Sequence, residues 1–141
     1  MLAFIVLFLT KKKMSKRDVF LKEFRGEAIG NVTSQSASDE IFQNEILRPI
    51  QKLQNELLIA AFTNYIFKSK SDFHTQTAAK KLVTIETIVQ KDMKFQNTLK
   101  GMIIGLFTLE EYLWYTKNAS SLNKRMMAML IERLKSQLQL F

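Results

Sequence analysis

Few side chains in this sequence are of the kinds that drive catalysis. His74 is the single histidine, and there is no cysteine. Thiolate nucleophiles, thiolate metal sites and multi-histidine centres are therefore excluded. A lone histidine within the polar stretch SKSDFHT reads as a solvated loop residue. HExxH, Walker A, GxGxxG and GxSxG are all absent. A ferritin-like di-iron bundle needs repeated Glu-x-x-His pairs, and the chain has none. Glu110 and Glu111 are adjacent carboxylates, but consecutive helix positions point about 100° apart, so they read as helix-capping residues. The expectation is no catalytic residue, no metal ligand set and no cofactor.

The remaining candidates for a site depend on helix phase. Asp92, Gln96 and Lys100 recur at i, i+4 and i+8 inside the apolar arc of a helix expected from about Gln76 to Phe107. Polar groups on a face that should be buried must be paired or must line a groove. Gln54 and Asn64, on the apolar face of a preceding helix, are the expected counterparts. Arg48 or Arg133 are further candidates to pair with Asp92. Two readings stand: a polar seam that sets helix register, or a small cleft with Lys100 available to an anion. Gly101 and Gly105, in GMIIG, suggest close backbone approach by another helix or a ligand, or tolerated flexibility near a helix end. Met126, Met127 and Met129 read as core, or as an adaptable binding surface.

The elements that must position these residues follow from apolar periodicity. DVFLKEFR (18–25) is expected as a short amphipathic helix ended by Gly26, with a polar loop over 26–37. Ser38 is expected to cap a helix reaching about Leu47, with a break or kink at Pro49. A long helix is expected from Pro49 to Lys68. The strongest periodic signal then runs from Gln76 to Phe107. Thr108 and Glu111 have capping-box spacing and open a short aromatic helix containing Leu109, Tyr112, Leu113, Trp114 and Tyr115. Ser121 is expected to cap a last helix from Leu122 to about Leu138. No stretch alternates with period two, so the fold class is all-α: a helical bundle of two long and three to four shorter helices.

The chain has 141 residues, 47% hydrophobic and 24% charged, with 4 Gly and 1 Pro. That is too apolar for a disordered chain and large enough to bury one core without disulfides. Lys plus Arg is 21 and Asp plus Glu is 13, a net charge of +8. Nucleic acid suits that sign, but the only dense basic run is Lys11, Lys12, Lys13, Lys16 and Arg17, and the other cations are interspersed with acids. The distribution argues against a nucleic-acid interface. Residues 1–9, MLAFIVLFL, would span roughly 13 Å as a helix against ~30 Å of hydrocarbon, too short to cross. Residues 1–17 are read as an apolar then basic extension outside the fold, and 18–141 as a single helical domain. Residues 1–13 are either upstream of a natural start at Met14 or a peripheral membrane anchor. The body is expected in the cytoplasm.

Five segments carry a resemblance: MSKRDVFLKEFRGE from Met14, IFQNEILRPI, KFQNTLKG, GLFTLEEY and LNKRMMAMLIERLKSQLQLF. They resemble a family of small uncharacterised all-helical bacterial proteins, some of which bear the name glyoxalase. The resemblance covers residues 14–141 and implies Met14 as the start. The name implies either a βαβββ module holding a metal through His and Glu or a THxHxDH hydrolase. This sequence has neither pattern. The resulting expectation is a non-enzymatic bundle that acts through a protein partner or as a homo-oligomer. The alternative is a small-molecule binder or small enzyme.

Overall fold

The structure, a computed structural model, describes residues 13–31 and 37–141. The described chain is all-α, with no strand among the described residues. Helix α1 is Lys16–Arg25, α2 is Ser38–Phe42, and a wide π turn over Gln43–Leu47 leads directly into α3, Arg48–Leu53. Helix α4 is Asn55–Ser69, followed by a 3-10 turn at Phe73–Thr75. Then come α5 (Ala78–Lys91), α6 (Met93–Ile104), α7 (Leu109–Lys117), α8 (Ala119–Ser136) and a 3-10 turn at Leu138–Leu140. No helix of the described residues is long and apolar enough to cross a membrane.

Helix α1 starts two residues before the expected Asp18. Ser15 caps it by accepting from the Asp18 N–H, and Arg17 reaches the carbonyls of Gly105 and Phe107 at 2.8 and 2.9 Å. Residues 15–17 therefore belong to the fold and not to an extension. Gly26 ends the helix with φ 80°. Ala37, not Ser38, occupies the N-cap position of α2. Gly30 takes φ 106°, a conformation that L side chains rarely adopt, and a Cβ there would also press on the Asn44 side chain at 3.1 Å. The readings of residues 1–12 as an extension or anchor, and of 32–36 as loop, lie outside the described residues.

Pro49 produces no chain break. It lacks the N–H that would bond four residues back, and the preceding backbone loosens to accommodate it: the Arg48 N–H donates to Gln43 O, five residues back. This widened turn is a known way for a helix to absorb such a mismatch. Both expected long helices are divided. The first tightens at Gln54 (φ −86°, ψ 3°), whose side chain turns out to donate to Met102 O at 2.8 Å. The second is interrupted at Asp92, whose backbone is extended (φ −85°, ψ 99°) and whose carboxylate caps α6 by accepting from the Phe95 N–H at 3.1 Å. Aspartate competes for backbone donors in this way. The apolar period survives the break because both halves face one core: Ile85 and Val89 from α5, and Phe95, Leu99 and Ile103 from α6, are all buried.

Helix α8 packs against α5, the π turn and α7, and buries Leu122, Met126, Met127, Leu130, Ile131 and Leu134. It starts at Ala119 with Asn118 at its N-cap position. Ser121 is no cap; its hydroxyl donates to Asp39 Oδ2 at 2.6 Å. Met129 is half-buried against the same core, so the methionine cluster is packing and not an open surface. Phe62 is fully buried, with the rings of Phe73 and Phe141 set against it edge to face.

Candidate functional site

An open groove of about 740 Å³ lies between α1, α2 and α7. Its construction begins with a buried ion pair. Arg25, in the last turn of α1, donates through both terminal nitrogens to the two oxygens of Glu111, at 2.6 and 2.7 Å. The two side chains are only 4% and 9% exposed. Arg25 also donates to Leu106 O at 2.9 Å. Glu111 does double duty, since its carboxylate accepts the Thr108 N–H at 2.8 Å while its own N–H donates to the Thr108 hydroxyl. This completes the capping box that starts α7. Asp18, buried on the inner face of α1, accepts from the Leu109 N–H and from Arg17. Helix α1 is thus fastened to the α6–α7 corner chiefly by charge-assisted hydrogen bonds, roughly twice as strong as neutral ones.

Above that pair the groove has an apolar interior and a charged rim. Ile41, Phe42 and Ile46 line it from α2 and the π turn, and Leu113 and Trp114 line it from α7. Phe42 is buried, with its ring edge to face on Phe107 at 5.5 Å. Trp114, the only tryptophan of the chain, is 42% exposed. The rim carries Glu27, Glu45 and Glu110 together with Lys22 and Lys117. None of these five joins an ion pair among the described residues. An arrangement of this kind can hold an apolar surface with charges at its margin.

The residues picked out from sequence lie elsewhere and do not converge. Asp92 is half-buried and pairs with the Tyr65 hydroxyl at 2.6 Å, not with a cation or an amide side chain. The Tyr65 hydrogen bond, with help from the Phe95 N–H, holds the Asp92 carboxyl below its ordinary range. The same bond, with burial and the Asp92 charge, pushes the Tyr65 phenol up to about 12. Gln96 donates to Val89 O at 3.0 Å, closing the α5–α6 break. Lys100 is half-buried and Asn64 is exposed. Arg48 donates to Asn44 and Arg133 to Asn55, so neither serves Asp92. Burial, and then the nearby Arg48 charge, lower the Arg133 pKa.

The stripe therefore does not converge: Asp92 and Gln96 each find a separate local partner, and Lys100 joins neither. Gly101 has open space where a side chain would be, and a Cβ at Gly105 would meet only the Gly101 carbonyl of its own helix, at 3.0 Å. Neither marks a close approach of a second helix. The Gly105 carbonyl is instead an acceptor for Arg17. His74 is exposed, its ring edge-on to Phe73. No group of three or more potential metal-ligating side chains occurs among the described residues.

Sequence reading singled out Glu111 and Trp114 as parts of a capped aromatic helix, and did not place them in a groove. Ile41, Ile46, Glu27 and Glu45 carried no signal at all, because helix phase says nothing of which elements meet. No family model, curated protein or solved structure matches the chain.

Proposed function

We propose that this protein is a non-enzymatic helical interaction module whose α1–α2–α7 groove receives a segment of another protein or of a second copy. The observation that carries the reading is the half-exposed Trp114, which lines with Leu113 and Ile46 an apolar interior rimmed by charges that join no ion pair among the described residues. Buried aromatic anchors surrounded by polar rims dominate association energetics. The proposed setting is the cytoplasm, where a chain without cysteine forgoes nothing that disulfides would supply. The test is a Leu113→Asp variant with native circular dichroism, compared with the parent chain by light scattering and affinity capture. The variant is expected to lose both self-association and retained partners. Equal behaviour of the two chains would sink the reading.

A small-molecule site is the second reading, favoured by groove volume, which lies inside the ~300–1,000 Å³ typical of ligand pockets. A thermal-shift screen against metabolites and divalent metals tests it, and includes methylglyoxal with glutathione because of the name borne by the family the sequence resembles. A stabilising ligand whose effect is lost in Leu113→Asp would move the assignment to this reading.

A further inference from the structure

The chemistry of the groove narrows its occupant, taking the proposed interaction role as the starting point. Four carboxylates and three cationic side chains line it. Arg25 and Glu111 are spent on one another, which leaves Glu27, Glu45 and Glu110 against Lys22 and Lys117. A chain of net charge +8 therefore places a small excess of negative charge around this apolar groove. The apolar walls, α2 with the π turn and α7, are helical, so their interior backbone N–H and C=O groups are already paired within the helices, while residues 26–28 form a non-helical part of the rim. The apolar walls offer no main-chain ladder to an extended peptide, and an occupant must satisfy its own backbone. The α7 wall from Glu110 to Lys117 is about 10 Å long at ~1.5 Å per residue, which suits two turns of a docked helix.

We infer that the groove binds a basic amphipathic helix of a partner protein, its apolar side on Leu113, Trp114, Ile41 and Ile46 and its lysines or arginines over Glu27, Glu45 and Glu110. A second copy is disfavoured by charge. It would bring an entire like-charged molecule to the surface, whereas a partner helix brings only the few cations that meet the carboxylates.

Trp114 makes the test direct, since all tryptophan emission of the full chain comes from this groove. The probe is a synthetic helix of about four turns, roughly 14 residues, with leucines on one face and lysines on the other. Its control has glutamate for every lysine. The lysine peptide is expected to shift the emission to shorter wavelength in a saturable way, with about tenfold or greater preference over the glutamate peptide. Combined Glu27→Lys, Glu45→Lys and Glu110→Lys, all exposed positions, are expected to reverse that preference while leaving circular dichroism unchanged. Equal binding of both peptides, or preference for the glutamate peptide, would overturn the charge assignment and leave the groove as an interaction site. No shift with either peptide would overturn both. A shift produced by concentrating the protein alone would assign the groove to a second copy, against the inference.

Discussion

Glu111 joins two roles that are usually separate, as capping residue and as buried counter-ion. Its carboxylate satisfies the Thr108 N–H and both terminal nitrogens of Arg25. Breaking a buried pair by removing one member is costly because the other charge stays out of water. Glu111→Ala is expected to lower stability by roughly 3–5 kcal/mol, read by urea denaturation. Replacing both members, Arg25→Met with Glu111→Leu, should recover a large part of that loss, since no stranded charge remains. A double variant as weak as the single one would show that the cap, and not the charge, carries the effect.

Tyr65 and Asp92 supply a pH-dependent counterpart. The Asp92 carboxyl is held low when folded, so its contribution is present above the unfolded value of about 4 and fades as pH falls through the folded value. The Tyr65 phenol is raised to about 12, so its contribution is intact below an unfolded value near 10 and is lost as pH rises from there toward the folded value. Tyr65→Phe should flatten both flanks of the stability profile, measured as the urea midpoint against pH. Unchanged acid and alkaline flanks would refute the coupling.

At the level of elements, the instructive feature is how α1 is held. Its inner face offers Leu21 as its only buried apolar side chain, while Phe20 and Phe24 stack on each other in the open at 60% and 57% exposure. Polar contacts from Arg17, Asp18 and Arg25 to the α6–α7 corner do most of the fastening. Asp18→Ala removes a buried acceptor for the Leu109 N–H and strands part of that network. Amide exchange in α1 should then accelerate far more than in α8, which is held by six buried apolar residues. Uniform acceleration would mean that α1 unfolds only with the whole. Thr108→Ala, at the buried cap of α7, should cost about 1–2 kcal/mol, with urea denaturation as the measure.

For the whole molecule, the aromatic cluster ties distant parts of the chain together. Phe62 of α4 meets Phe73 of the 3-10 turn, Phe95 of α6 and the terminal Phe141. Phe62→Ala is expected to cost roughly 3–5 kcal/mol by thermal or urea unfolding, through lost burial and the cavity left behind. The net charge of +8 also acts at this scale. Binding to duplex DNA, if measured, should be sequence-blind and fall steeply with salt, because scattered cations contact phosphates and read no bases. Tight binding to one sequence at physiological salt would contradict that view of the charge.

The helical class, the thirty-residue apolar period and the Thr108–Glu111 cap were all legible in the linear chain, because each depends on neighbours within a few residues. The helix from Gln76 to Phe107 shows where that reach ends. Its buried face is correct, yet its continuity is lost at Asp92, where a carboxylate that caps Phe95 and meets Tyr65 from another helix outweighs continued α-helix. Gly101 and Gly105 were read from spacing as either a close backbone approach or tolerated flexibility near a helix end, and packing decides between them: among the described residues no second helix comes within contact of either position. The groove went unseen for the same reason. Lys22, Ile46 and Trp114 are remote in sequence and become neighbours only when Arg25 finds Glu111 across 86 residues. Short-range periodicity and capping decide where helices form and which face each turns inward. Which helices meet, and what lies exposed between them, is decided by long-range partners that no local pattern encodes.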